Sequence, residues 1–352
     1  MRLDLVALLC GVIALGSGPA AAQGGMTLRD RLVVVSSGSS ATLSRLLSDS
    51  FKDRYGGVVP PVLQPVGSTR AMELFCAGIG PQTPDIAITT RRMPRSIIES
   101  CTAQGVTDII ELKIGYGAIV IAARRGDPTP ALTSRQIWSA LAAEQPVNHE
   151  FVPNRHRLWS DIAPTLPRMP ISFIQPSHES GTHVLFDDLV MEAGCRSVPD
   201  IRLIFEAAYR LTKCLTNRTD GVLRTVPAAE VPAALMAAPP GTLAAMSYDQ
   251  LIASGGNFVA LTLDGSTPTA ASIAADQYDQ ARPFYVYGKN QHSRSQNGVG
   301  VVRGIREFLN EVTSEHAAGP SGYLAQAGLV PLPPADRAAQ RRIALNSILM
   351  SR

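Results

Sequence analysis

The chain has 352 residues, of which 45% are hydrophobic and 17% charged, with a formal net charge of +3. That length accommodates two domains with well-formed cores, and the composition is globular and fairly apolar, which excludes a disordered chain. So small a charge, with no Lys/Arg tract interleaved with aromatics, points away from nucleic acid.

The first residues read as an export signal. Arg2 opens it, residues 5–15 are apolar, and Ala20, Ala21 and Ala22 precede Gln23. This pattern predicts a signal peptide over 1–22, cleaved after Ala22. Its apolar run is too short to span a bilayer comfortably, and no later run of about 20 apolar residues exists, so the mature chain is expected to be soluble.

Residues 31–35 (RLVVV) predict a buried strand, 36–40 a serine-rich turn, and 42–55 a helix with Leu43, Leu46, Leu47 and Phe51 on one face. A second strand (62–66) runs into the turn Gly67-Ser68-Thr69-Arg70 and a helix over 71–77. A third (84–90) ends in Thr89-Thr90-Arg91. Further along, 117–123 predicts a buried strand and 132–141 a helix capped by Thr133. The stretch 144–170 holds five prolines and reads as an irregular connection. A strand around Ile171 and Phe173 leads into Ser180-Gly181-Thr182 and a helix over 184–193. Helices are also expected at 230–238, 301–312, 322–327 and 335–349, and strands at 241–246 and 284–287.

Strands alternating with helices imply an α/β fold with largely parallel sheets, whose ligands sit beyond the carboxyl ends of the strands. The hydroxyl-rich turns all lie at such ends. Hydroxyls and free backbone N–H groups gathered at helix starts favour an anion. For any one turn, an ordinary Ser/Thr cap explains the same residues; the repetition carries the argument. The expected layout is discontinuous, with chain crossings near 115–117 and 281–284. One lobe is 23–116 plus 283–352, the other 117–282, and the two close by hinge motion.

After the signal, four cysteines remain: Cys76, Cys101, Cys195 and Cys214. In an exported chain they suggest two disulfides, with three connectivities open. Sequential pairing closes two short loops and is the expected one. No C-x-x-C occurs, so neither a zinc ribbon nor a redox motif is expected.

Five segments in this order resemble the PstS-type phosphate-binding proteins of ABC transporters. They are VGSTRAMELFCAG at 66–78, DIAITTRRM at 85–93, SGTHVLFDDLVMEAGC at 180–195, ARPFYVYGKN at 281–290 and GLVPLP at 328–333. The similarity runs from about Arg31 to Arg337. It implies a two-lobe periplasmic binding protein, each lobe a mainly parallel sheet flanked by helices, with the ligand in the cleft. It further implies a monomer in the periplasm that hands phosphate to an inner-membrane ABC permease, without a cofactor or a metal. The implied ligand set is Ser39 and Ser40, then Gly67, Ser68 and Thr69, then Thr90, then Ser180, Gly181 and Thr182. Three positions depart from the family. His183 stands where Arg is common, Gly117 where an acidic residue is common, and Arg91 where many members place an Asp. Arg91 is expected to supply the fixed positive charge, and His183 a weaker, titratable one. These departures keep another oxyanion open, as well as a PstS-like sensor or envelope role.

Catalysis is not expected. G-x-S-x-G is absent, and His178 two residues before Ser180 does not make a nucleophile–base pair by adjacency. His178-Glu179 and His183 carry one residue too many for H-E-x-x-H.

Overall fold

A computed structural model of the chain describes residues 29–55, 59–293 and 300–351. The expected signal peptide lies outside them. Strand β1 (Val33–Ser36) is followed by a 3-10 turn (Gly38–Ser40) and a helix (Ala41–Arg54). Strand β2 (Val62–Pro65) leads to the helix Ser68–Phe75, and β3 (Ile86–Thr89) to the helix Arg95–Ala103. β1 pairs in parallel with β2 on one side and β3 on the other. All three strands therefore end at one edge.

Beyond β3 the sheet turns antiparallel. β4 (Ile109–Arg124) runs beside β11 (Ala281–Lys289), which also pairs with β3. The far half of β4 pairs with β9 (Leu243–Ser247). β7 (Phe173–Pro176) then lies between β9 and β8 (Leu223–Val226), parallel to both. The order is β2-β1-β3-β11-β4-β9-β7-β8. Two parallel three-stranded groups thus flank one antiparallel pair that links them, which is the expected two-lobe α/β architecture. β10 (Phe258–Ala260) and β12 (Val330–Pro331) add to β4, and β5 (Glu144–Val147) with β6 (Glu150–Pro153) forms a separate hairpin.

The central strands of the sheet are buried on both faces. Val34, Ile86, Ile88 and Val286 pack under the helices Ala41–Arg54 and Ile305–Val312, while Val35, Ala87 and Tyr287 point to Met72, Phe75 and the Cys76–Cys101 disulfide. In the other half of the sheet, Ile119 and Ile121 of β4 and Phe173 join Trp138, Trp159 and Phe186, and Val120, Ile174 and Met246 join Val231 and Leu235. Strands buried on both faces read as unbroken apolar runs, hence sequences such as AIVIAA at 118–123.

Several boundaries differ from the sequence reading. The helix expected from 301 begins at Ile305, because Gly304 takes φ 97° just before it. The stretch 144–170 includes the β5–β6 hairpin, turned at Asn148 and His149, which both have positive φ. The helix expected over 184–193 runs through 181–196, with a π segment at Asp187–Glu192.

The second disulfide joins Cys195 to Cys214, so the sequential pairing holds. Cys214 is the one fully buried residue of its helix, Ala207–Leu215. Replacing Cys195 and Cys214 together by Ala is expected to lower unfolding stability by about 3 kcal/mol. Urea unfolding against the oxidised wild type measures this; a loss below about 1 kcal/mol would mean that other contacts hold the helix. No helix among the described residues is long and apolar enough to cross a membrane.

Candidate functional site

Three hydroxyl loops leave the adjacent ends of β1, β2 and β3. In the first, Ser37 caps the 3-10 turn, accepting from the Ser40 N–H, and donates its own N–H to the Ile88 carbonyl at 2.9 Å. Ser39 is the middle residue of that turn. Ser40 is buried. Its Oγ lies 3.2 Å from the Ile88 carbonyl oxygen, 3.1 Å from that of Ser37 and 2.7 Å from Ser37 Oγ. Its single proton is used inside the protein, so Ser40 fastens the first loop to the end of β3.

In the second loop, Gly67 takes φ 86° immediately before the helix Ser68–Phe75. That left-handed conformation is one glycine adopts freely. It brings Ser68 to the third loop: Ser68 Oγ accepts the Thr90 N–H at 3.4 Å and lies 3.3 Å from Thr90 Oγ1. The Arg91 guanidinium donates to Thr69 Oγ1. Thr69 and Arg91 are exposed, Ser68 and Thr90 half-buried. The second and third loops therefore present a joined set of hydroxyls with one cation beside them.

The fourth loop follows β7. Ser180 caps the next helix, accepting the His183 N–H at 3.1 Å and donating to the Ser177 carbonyl at 2.9 Å. Gly181 and Thr182 are half-buried. The start of this helix packs on the first loop: a Cβ placed on Gly38 would lie 3.8 Å from Val184 Cγ2. The fourth loop thus meets the first, which is fastened to the end of β3, where the second and third loops join.

His183 departs from an anion-facing placement. Its side chain is buried, with Nδ1 2.8 Å from the Pro176 carbonyl oxygen and Nε2 2.7 Å from His178 Nδ1 and 3.1 Å from Asp187 Oδ2. Burial pushes the imidazole pKa down. The Asp187 hydrogen bond and charge, the Pro176 carbonyl and Glu179 outweigh it, and the pKa is raised. At Gly117, a Cβ would come within 2.8 Å of the Phe284 ring and 3.2 Å of Leu185. An acidic side chain, common there in the family that the sequence resembles, has no room.

His178 and Ser180 are each engaged with other partners. His178 Nδ1 meets His183, and the Ser180 hydroxyl meets Ser177 and His183. Among the described residues, no group of three or more His, Cys, Asp or Glu is placed to hold a metal ion. Sequence reasoning missed Ser37, because five small residues in a row hide which one caps. It also missed Asp187, whose signal was its i,i+4 spacing from His183.

A family model described as a PBP superfamily domain matches residues 18–316. The structure is similar to that of a possible phosphate binding protein from Planctomyces limnophilus, at 15% identity and TM-score 0.66, covering 92% of this chain and 100% of that one. An ABC-type phosphate transport receptor from Vibrio cholerae is similar at 17% identity and TM-score 0.52, over 86% of this chain and 100% of that one. PstS from Borrelia burgdorferi is similar at 15% identity and TM-score 0.51, over 81% and 93%. No curated protein matches the sequence. At such identities the solved structures speak for the fold, which is that of the two-lobe periplasmic binding proteins. With its family match covering most of the length and its two parallel groups joined through β4 and β11, the chain belongs to the PBP superfamily.

Proposed function

We propose that this protein binds inorganic phosphate between its lobes and delivers it to an ABC-type permease, as a periplasmic monomer released from a cleaved signal peptide. The lobes in this reading are 23–116 plus 283–352 and 117–282. The observation that carries it is the contact between the first and fourth loops, one from each parallel group, with the second and third loops joined at the neighbouring strand ends and Arg91 bonded to Thr69. A desolvated oxyanion takes hydrogen bonds from such loops at strand ends, and contacts to both lobes at once would favour closure. Gly67, Ser68, Thr69, Thr90, Gly181 and Thr182 would form the direct contacts, with Ser39 from the first loop. Ser37, Ser40 and Ser180 would hold the loops in shape. Binding of this kind performs no chemistry. That the similar structures include a phosphate binding protein and a phosphate transport receptor supports phosphate as the anion.

A second reading, a fully ionised oxyanion, is favoured by the third loop itself. Its sequence, Thr89-Thr90-Arg91-Arg92, holds no carboxylate to accept the proton of hydrogen phosphate. Calorimetric titration of the ligand-stripped mature protein with phosphate and then sulfate separates the two. One-to-one phosphate binding without a sulfate response supports the first. Sulfate binding supports the second, and no heat from either with a folded protein sinks both.

A further inference from the structure

Each nitrogen of the His183 ring lies against an oxygen that only accepts, and Nε2 lies also against His178 Nδ1. Nδ1 faces the Pro176 carbonyl oxygen at 2.8 Å, and Nε2 faces the Asp187 carboxylate at 3.1 Å. A carbonyl and an ionised carboxylate offer lone pairs alone, so each nitrogen must carry a proton. The ring is an imidazolium. Nε2 also lies 2.7 Å from His178 Nδ1, which accepts in this arrangement. The two rings meet edge to face. The raised pKa of His183 agrees with this assignment.

This buried cation holds the fourth loop from several sides. Through its ring it joins Pro176 at the end of β7, His178 in the turn and Asp187 one turn along the helix; through its N–H it joins Ser180. Asp187 Oδ1 is buried without a hydrogen-bond partner. The other charges nearby are Glu179 from the turn and Asp188 on the same helix, which faces Glu192 and Arg282. The turn Gly38–Ser40 and strands β7 and β9, packed against the same helix, carry no charged side chain; β4, which meets the helix where Gly117 lies beside Leu185, carries Glu111, Lys113 and Arg124.

We infer that protonated His183 is a positioning residue for the Ser180–Thr182 loop, so that the protein holds its anion more tightly while that ring is charged. The inference rests on the proposed reading of this loop as part of an anion site. Loss of the Nε2 proton would turn the Asp187 contact into one between lone pairs and release the helix turn from the loop. It would also remove a positive charge from the first turn of the helix that follows the loop.

Two measurements test it. The first follows the His183 ring by NMR against pH in the ligand-free mature protein. The wild-type midpoint is expected above about 6.5, the ordinary histidine value, and to fall toward it in Asp187→Asn. The second compares phosphate affinities of wild type and His183→Gln between about pH 5.5 and 8.5, a range that brackets histidine titration. Phosphate's own titration cancels in the ratio. The wild-type advantage is expected to be about tenfold at the acid end and to vanish at the alkaline end, a typical coupling between linked sites. His183→Arg, with a fixed charge, is expected to lose this pH dependence. If His183→Gln does not fold, Asp187→Asn carries the same comparison. A ratio independent of pH, or a wild-type midpoint at or below the ordinary value, overturns the inference while leaving the phosphate reading in place. Absence of phosphate binding by the folded wild type at every pH overturns the phosphate reading and this role with it.

Discussion

Ser180→Asp is expected to abolish anion binding while leaving the protein folded. Asp caps helices as well as Ser does, so the new carboxylate can accept the His183 N–H that Ser180 Oγ accepts at 3.1 Å. The bond that Ser180 donates to the Ser177 carbonyl is lost, at about 1 kcal/mol. Binding suffers far more. A carboxylate beside Gly181 and Thr182 occupies the N–H groups that an anion would use and repels it. Two unit charges about 4 Å apart at an effective dielectric of about 20 repel by about 4 kcal/mol. That corresponds to a loss of affinity on the order of a thousandfold. Calorimetric titration alongside a thermal melt checks both halves. Unchanged phosphate affinity in a folded variant would remove the fourth loop from the site.

The parts of this protein that were legible in the sequence are those where one physical demand dominates. Residues 31–35 and 117–123 announce strands because both faces are buried, and the hydroxyl turns announce themselves because they follow such strands. The two disulfides could be paired because the sequential choice closes short loops. Where two demands compete, the sequence is ambiguous. The helix Ala207–Leu215 is short, and although Ala207, Leu211 and Cys214 share one side, only Cys214 is fully buried and a covalent bond does the holding. Five small residues at 36–40 are all capable of capping, and only the fold decides that Ser40 turns inward to Ile88. His183 sits where the resemblance places an arginine, and its neighbours on the chain suggest an exposed first turn. Its partners Pro176 and Asp187 stand seven residues before it and four after, and the curl of the loop brings them to opposite sides of one ring.

The largest loss of stability is expected from Asp85→Ala, about 3–5 kcal/mol, the usual cost of removing one partner from a buried ionic cluster. Asp85 is fully buried just before β3. One carboxylate oxygen accepts from the Arg29 guanidinium and, at 2.6 Å, from His292 Nδ1; the other accepts the Val33 N–H at 2.8 Å. It thereby ties the start of β1 to the segment after β11. Lys289 is buried beside it, donating to the Gly78 carbonyl at 2.7 Å and to Thr83 Oγ1 at 3.0 Å. Burial lowers the Lys289 pKa to about 7, against the opposing pull of Asp85. Burial likewise lowers that of His292, with the Asp85 hydrogen bond opposing. Between about 7 and the ordinary lysine value, the unfolded chain binds more protons at Lys289 than the folded one, so this group makes stability rise with pH there. Without Asp85, the folded-state pKa falls further and the rise begins at lower pH. The variant's deficit should therefore be greater at about pH 6 than at about pH 8, because the remaining buried cations can shed their protons as pH increases. Urea unfolding of both proteins at the two pH values measures it. An equal loss at both would show that Asp85 acts through its hydrogen bond to Val33 alone, and that Lys289 and His292 do not depend on its charge.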